Sequence, residues 1–145
     1  MAADVLADTS ALLAFLDRSD RWHTACLEAL RNLRLPLLTS EAVLTELFHL
    51  IGANPHDTEA AWKFVCSGNI VLGKIADSEL PSLRALMTRY ADRPMDFADA
   101  TLVHLAQRES LTTIFTLDRD DFETYRIEGQ RCFRIIPGPR TGRRH

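Results

Sequence analysis

Short apolar runs alternate along the chain with longer amphipathic segments. Runs such as residues 5–7 and 113–117 are too short for helices and lie between polar residues, which is typical of buried strands. In longer segments, for example residues 77–90, leucines recur at three- and four-residue spacing, which predicts amphipathic helices. Strands that alternate with helices form largely parallel sheets covered on both faces. The pattern therefore predicts an α/β fold with a mostly parallel central sheet of roughly four to five short strands flanked by helices.

Capping and helix-breaking residues place the boundaries of these elements. Ser40 is a good N-cap for a helix that ends near Gly52, and Asp96 begins another helix. The acid-rich residues 118–125 are predicted to form a turn. The predicted strands are residues 5–7, 36–39, 70–75, 113–117 and 131–136. The predicted helices are residues 11–16, 20–33, 41–52, 57–66, 77–90 and 96–108.

Length and charge narrow the class of protein. A chain of 145 residues is one domain by the usual length relation. Its net charge of −3 gives no overall attraction to nucleic acid, so any nucleic-acid binding must be local. The longest apolar run, residues 11–16, is far shorter than the about 20 residues of a membrane-spanning helix. The beginning of the chain also lacks the basic region of a secretory signal, so we expect a cytoplasmic protein with no membrane association.

The cysteines indicate neither a disulfide framework nor a zinc site. Cys26, Cys66 and Cys132 are scattered, odd in number and without a C-x-x-C pair. We therefore expect them to be packing or surface residues, and any metal site to be built from oxygen ligands.

Four acids stand at or near the ends of predicted elements: Asp8, Glu46, Asp99 and Asp118. Asp8 and Asp118 follow predicted strands, and in open α/β sheets ligands bind beyond the carboxyl ends of strands. Only the fold can bring the four together, because they are far apart in sequence. If it does, their mutual repulsion requires a hard divalent cation such as Mg²⁺ or Mn²⁺, which favours oxygen ligands.

Each of these acids except Glu46 also has a simple structural interpretation. Asp8 fits the N-cap of the first helix. Asp96 and Asp99 have the spacing of a capping box, in which the first residue caps the helix. That interpretation explains both acids without a function. The small residues Ala98 and Ala100 beside Asp99 would let a metal come close, which favours Asp96 as the cap and an outer ligand and Asp99 as the inner ligand. Asp118 alternatively belongs to a surface acidic turn with Asp120 and Asp121.

Glu46 lies within the predicted helix, on the same side as Val43 and Leu50. A lone carboxylate on an apolar face is costly to bury unless it is paired, protonated or bound to a metal. The alternative is a rotation of the helix that carries Glu46 to a solvent edge.

Two hydroxyl residues accompany the strand-end acids. Ser10 follows Asp8 by two residues, and Thr116 precedes Asp118 by two. Residues two apart on a strand point to the same side, so the Thr116 hydroxyl is placed to orient a carboxylate. Ser10 is either a similar support or a second cap of the helix.

The order, spacing and flanks of these motifs resemble those of PIN-domain ribonucleases, most closely the VapC-like toxins of bacterial type II toxin–antitoxin pairs. The most specific parts are L-A-D-T-S-A-L-L-A-F-L-D, T-S-E-A-V-L-T-E-L, and P-M-D-F-A-D-A-T-L-V-H-L-A followed by T-I-F-T-L-D-R-D-D-F. The resemblance covers nearly the whole chain. It implies a PIN-like nuclease domain over residues 1–136, followed by a basic flexible tail over residues 137–145.

The resemblance implies a Mg²⁺- or Mn²⁺-dependent endoribonuclease that hydrolyses RNA phosphodiester bonds. It assigns the catalytic pocket to Asp8, Glu46, Asp99 and Asp118, which are also its metal ligands. Asp96 matches a further acidic position just before the helix of Asp99, so the resemblance leaves open which of the two is the inner ligand. Ser10 and Thr116 match the small hydroxyl positions that support such a pocket.

The same resemblance implies three partners. These are an RNA substrate, with tRNA or another structured RNA as candidates, a small antitoxin protein, and a second copy of the chain in a homodimer. The alternative is a catalytically silent PIN-like module that binds RNA or protein. Degenerate members of that kind are expected to lose pocket acids, and all four are present here.

Overall fold

A five-stranded parallel sheet forms the centre of the fold. The structure, a computed structural model, describes residues 3–139. The strands are β1 Val5–Ala7, β2 Leu37–Thr39, β3 Ile70–Leu72, β4 Thr113–Phe115 and β5 Arg134–Ile136. Their order in the sheet is β3-β2-β1-β4-β5, and every neighbouring pair is parallel. The predicted α/β fold is confirmed, and this sheet is wholly rather than mostly parallel.

Seven α-helices within residues 3–139 flank the sheet. They are α1 Thr9–Leu16, α2 His23–Arg31, α3 Glu41–Ile51, α4 Pro55–Phe64, α5 Leu80–Arg89, α6 Phe97–Glu109 and α7 Arg119–Thr124. Two of the predicted caps are confirmed. Ser40 Oγ accepts from the Val43 amide at the start of α3, and Asp96 Oδ1 accepts from the Asp99 amide at the start of α6.

The predicted turn over residues 118–125 was wrong, because α7 occupies most of that segment. Asp120 and Asp121 lie in its first turn, where negative charge is favourable to the helix dipole. Arg119 and Glu123 form an ion pair one turn apart on its surface. The single apolar anchor, Phe122, is fully buried. One anchor in six residues is too weak a pattern to be recognised as a helix from sequence.

Other predicted boundaries shift by a few residues because of local capping. The Asp20 carboxylate accepts from the Trp22 amide, so a turn precedes α2 and delays its start to His23. Helix α4 begins earlier than predicted, at Pro55, where proline suits the first turn and Asn54 caps the free amides. Strands β3, β4 and β5 are each shorter than their predicted runs.

Helix α6 is the most deeply buried helix and packs closely on the sheet. Its buried residues are Ala98, Ala100, Thr101, Leu102, Val103, His104, Leu105 and Ala106. Gly73, just beyond β3, permits this approach. A Cβ at that position would lie 2.7 Å from a Leu105 methyl carbon and 3.1 Å from one of Leu38. A side chain at this position would therefore force the methyl groups of Leu105 to shift.

The strand order places a ligand-binding crevice beside β1. From β1 the chain builds β2 and β3 on one side of the sheet, then crosses to build β4 and β5 on the other. In open α/β sheets ligands bind where the strand order reverses in this way. Asp8 follows β1 directly, and its amide donates to Phe115 O at the end of β4. Asp8 therefore stands at this crevice.

Two remaining observations concern membrane-spanning helices and the predicted basic tail. None of the helices within residues 3–139 has the length and apolar character needed to cross a membrane. The predicted basic tail, residues 137–145, lies largely outside the described residues, which end at Pro139.

Candidate active site

Asp8 is the most buried acid of the site, with 2% of its surface exposed. Its Oδ1 accepts from the Thr9 amide at 2.8 Å and so caps α1. Its Oδ2 accepts from the Thr116 hydroxyl at 2.7 Å and from the Ser10 hydroxyl at 3.4 Å. Helix capping therefore accounts for one carboxylate oxygen of Asp8. The other oxygen accepts hydrogen bonds from two hydroxyl groups.

Ser10 and Thr116 join the end of β4 to the start of α1. Their hydroxyl oxygens lie 3.2 Å apart. Ser10 Oγ accepts from the Leu117 amide at 2.9 Å, and Thr116 Oγ1 accepts from the Asp118 amide at 3.0 Å. These bonds fix the backbone that carries Asp118 beside Asp8. Both predicted hydroxyl residues thus lie between the two strand-end acids.

Asp99 lies in the first turn of α6 and is half-buried. Its amide donates to Asp96 Oδ1 at 2.8 Å, so Asp96 is the cap and is itself exposed. The Tyr125 hydroxyl donates to Asp99 Oδ2 at 2.8 Å. The geometry is consistent with Asp96 as the outer acid and Asp99 as the inner one.

Glu46 projects from α3 towards α1. Its Oε1 accepts from the Thr9 hydroxyl at 2.7 Å, and the residue is half-buried. Val43 is buried on the same side of the helix, but Leu50 is 53% exposed. The predicted apolar face is therefore only partly present, and Glu46 stands at its boundary.

Burial and mutual repulsion perturb these carboxyl groups. Burial raises the pKa of Asp8 well above its ordinary value, while the Thr116 hydrogen bond opposes the rise and the charges of Asp99 and Asp118 add to it. Burial also raises the pKa of Asp99 to about 7; the Asp96 charge adds to this rise and the Tyr125 hydroxyl opposes it. The charge of each carboxylate therefore affects the pKa of its neighbours, which is expected if the acids form one site.

Asp118 lies at the mouth of the crevice and is exposed as a whole residue. Partial desolvation of its carboxyl group nevertheless raises the pKa of Asp118, and a hydrogen bond with Asp8 opposes that rise. The charges of Asp121, Glu46 and Asp96 raise the pKa of Asp118 further. Glu46 therefore acts on the site through its charge, which raises the pKa of Asp118.

The donor set fits a hard divalent cation. All candidate ligands are carboxylate or hydroxyl oxygens, and within residues 3–139 none of the four predicted acids forms an ion pair with lysine, arginine or histidine. In the same range no group of three acidic, histidine or cysteine side chains is arranged to hold an ion directly. Mg²⁺ commonly binds through one or two carboxylates and keeps several waters, so it does not need such a cage.

An open pocket of about 480 Å³ adjoins these acids. Thr116 and Asp118 form the part of its wall that belongs to the predicted site. The remaining lining residues are Trp22, Arg93, Leu117, Arg119, Asp120, Asp121, Pro137 and Gly138. Arg93 pairs with Asp121, and Arg119 donates to Pro137 O and to Glu123. The pocket therefore carries two arginines next to the acids, where a phosphate group of a bound polymer can be contacted.

Three residues of the site were missed from the sequence. Thr9 stands inside the D-T-S motif, but no role was predicted for it, although its hydroxyl donates to Glu46. Tyr125 is the last residue of the segment predicted to be a turn, so nothing indicated that its side chain faces Asp99. Asp121 was assigned to the surface, although its charge raises the pKa of both Asp99 and Asp118.

Comparison with known proteins identifies the family of the chain. Residues 5–128 match the family model of the PIN domain. Ribonuclease VapC26 of Mycobacterium tuberculosis (strain ATCC 25618 / H37Rv) is 33% identical over 135 residues, covering 92% of this chain and all of that protein.

A solved structure shares the fold. The crystal structure of Mycobacterium tuberculosis VapC20, described as a sarcin–ricin loop cleaving toxin, superposes with a TM-score of 0.70 at 19% identity. The match covers 80% of this chain and 91% of that one. The family match over most of the chain, together with the related ribonuclease, identifies the protein: it belongs to the PIN-domain family.

Proposed function

We propose that this protein is an endoribonuclease of the VapC type that depends on Mg²⁺ or Mn²⁺ and acts as the toxin of a toxin–antitoxin pair. The observation that carries the proposal is the buried Asp8 carboxylate at the point where the strand order reverses. The charges of Asp99 and Asp118 raise the pKa of Asp8, and Asp8 has no cationic partner among the described residues. Similarity to a ribonuclease over the full length of that relative supports RNA as the substrate.

In this proposal Asp8, Asp99 and Asp118 hold the cation. Glu46 adds negative charge from the α3 side, and Asp96 lies outside the first set of ligands as the cap of α6. Ser10 and Thr116 keep Asp8 and Asp118 in register by their hydrogen bonds. Removal of such supports commonly costs about 10–100-fold in metal affinity or activity.

The cation, when bound, supplies activation of a water nucleophile and neutralises charge that develops on the phosphate oxygens. The chain supplies the setting for that chemistry. The crevice partly excludes water, and the open pocket gives a polymer access to the acids from the Asp118 side. Arg93 and Arg119 lie on the wall of that pocket and are suited to contact phosphates that flank the scissile bond.

The proposal extends to partners and location. The substrate is RNA, with unpaired segments of a structured RNA such as tRNA as candidates, because no feature of the pocket presents a base-reading motif. We further propose a small antitoxin protein that blocks the acidic crevice, a homodimer as the assembled form, and action in the cytoplasm. The alternative, a binding module without catalysis, is an outcome of the experiment below.

The test is cleavage of total cellular RNA by the purified protein with Mg²⁺, with Mn²⁺ or with EDTA. The Asp8→Asn variant removes one proposed ligand, and Asp92→Asn removes an exposed acid in the α5–α6 loop as a matched control. We expect metal-dependent cleavage by the wild type and Asp92→Asn, and none by Asp8→Asn. RNA binding without cleavage under every metal condition would instead support the silent binding module.

A further inference from the structure

The Tyr125 side chain connects the aromatic core to one acid of the candidate site. The residue directly follows α7, is fully buried, and donates its hydroxyl proton to Asp99 Oδ2 at 2.8 Å. Within residues 3–139 no other group donates a hydrogen bond to that carboxylate. The orientation of Asp99 therefore depends on this one phenol.

The ring of Tyr125 is held from two sides by other aromatic residues. Tyr90 lies edge-on with ring centroids 5.1 Å apart, and Phe122 lies edge-on at 5.2 Å. Phe122 is held in turn by Phe133 at 5.4 Å. Edge-to-face contacts of this kind stabilise one arrangement of the rings. The hydroxyl consequently has a fixed position relative to α6.

Packing explains the ring of Tyr125 but not its hydroxyl. A phenylalanine would fill the same place between Tyr90 and Phe122. A buried phenol needs a hydrogen-bond partner that phenylalanine does not. A neutral donor beside a cluster of acids also has a specific advantage over lysine or arginine. It orients a carboxylate without bringing a positive charge that would compete with a bound cation.

We infer that Tyr125 is a positioning residue of the proposed active site, whose hydroxyl holds Asp99 in the orientation that binds the divalent cation. The inference rests on the proposed function and extends it to a residue outside the acidic set. Groups that hydrogen-bond a metal ligand commonly change metal affinity by about 10–100-fold when they are removed. We expect Tyr125 to act on the site in this way and not to contact RNA.

The structure provides a matched control in the same aromatic cluster. Tyr90 packs against Tyr125, but its hydroxyl oxygen accepts from the Arg126 amide at 2.9 Å and does not contact Asp99. Tyr125→Phe and Tyr90→Phe each remove one buried or half-buried phenol oxygen from the cluster and keep the ring. Only Tyr125→Phe removes the hydrogen bond to an acid.

The test is titration of the full chain with Mn²⁺ by calorimetry, without RNA, for the wild type and both variants. We expect Tyr125→Phe to weaken Mn²⁺ binding by about 10-fold or more, with Tyr90→Phe close to the wild type. In cleavage assays the Mn²⁺ concentration at half-maximal rate should rise by a similar factor for Tyr125→Phe. Equal Mn²⁺ affinity of the wild type and Tyr125→Phe would overturn the inference and leave the proposed function standing.

A double-mutant cycle with Asp99→Asn separates positioning from general loosening of the core. If Tyr125 acts through Asp99, Tyr125→Phe should have little further effect on the residual Mn²⁺ affinity of Asp99→Asn. The same loss of affinity in both backgrounds would show that Tyr125 acts by another route and would overturn the inference. A wild-type protein that binds no Mn²⁺ would overturn the proposed metal site and this inference together.

Discussion

The Thr116 hydroxyl donates a 2.7 Å hydrogen bond to Asp8 Oδ2 across 108 residues of sequence. It joins the residue after β4 to the acid after β1, at the point where the strand order of the sheet reverses. Asp8 is buried and lacks an ion pair among the described residues, so this neutral donor is its main side-chain support. The hydroxyl network is therefore as much a part of the candidate site as the acids.

Replacing Thr116 with valine keeps the shape of the side chain and removes the donor to Asp8. We expect the free energy of unfolding to fall by about 1–3 kcal/mol, because a buried polar group loses its partner. We also expect RNA cleavage to decrease, since the Asp118 amide loses its acceptor as well. Urea unfolding and a cleavage assay measure the two effects. Thr58→Val, at a half-buried position on α4, is the control and should leave cleavage unchanged.

The raised pKa of Asp99 predicts how stability depends on pH in metal-free protein. The pKa of Asp99 is about 7 in the folded protein, against an ordinary value of 3.8. The folded state therefore binds more protons than the unfolded state between these values, and the free energy of unfolding should fall as pH rises from about 4 to about 7. Asp99→Asn should flatten this slope in denaturation experiments made in EDTA. An unchanged slope in Asp99→Asn would contradict the assignment.

Thr9 is predicted to support Glu46 in the way that Thr116 supports Asp8. Thr9→Val removes the 2.7 Å hydrogen bond to Glu46 Oε1 while keeping the side-chain volume. We expect cleavage to fall by about 10-fold with the fold retained, because Glu46 loses its orientation. Thr9→Ser keeps the hydroxyl and should restore most of the rate. If Thr9→Ser loses as much activity as Thr9→Val although it keeps the hydroxyl, the hydrogen bond to Glu46 does not explain the loss.

A substitution at Gly73 tests the packing of the core independently of the candidate site. Gly73→Ala places a Cβ 2.7 Å from a methyl carbon of Leu105 in α6, which is closer than van der Waals contact. We expect a loss of about 1–3 kcal/mol in unfolding free energy, as is typical of overpacked cores. Because Gly73 lies away from the acids, metal affinity should change little. Thermal unfolding monitored by circular dichroism measures the cost, and a neutral result would mean that Leu105 can move aside.

Much of the fold could be predicted because strands and helices alternate with few exceptions. Parallel strands place their carboxyl ends at one edge of the sheet, so Asp8 and Asp118 could be expected near each other from their positions after two strands. Asp96 could be recognised as a cap from its spacing to Asp99, and the structure has that hydrogen bond. These predictions depend on local pattern and on general topology.

The contacts that complete the candidate site could not be predicted, because they depend on helix phase and on long-range packing. The rotation of α3 about its axis decides whether Glu46 faces α1 or solvent. The apolar residues of α3 do not fix that rotation, because some of them are exposed; Leu50, for instance, is 53% exposed. Tyr125 reaches Asp99 only because residues 119–124 form a helix, which one buried apolar residue did not indicate. Individual hydrogen-bond partners of this kind require three-dimensional coordinates.

The most direct test of the central claim is anomalous diffraction from crystals of the protein soaked in Mn²⁺. The account predicts an anomalous peak between β1 and β4, with carboxylate oxygens of Asp8 and of Asp99 or Asp118 at roughly 2.0–2.2 Å. The peak should disappear in Asp8→Asn crystals treated in the same way. A peak elsewhere, or none at saturating Mn²⁺ in the wild type, would contradict the claim that these acids form a metal-dependent nuclease site.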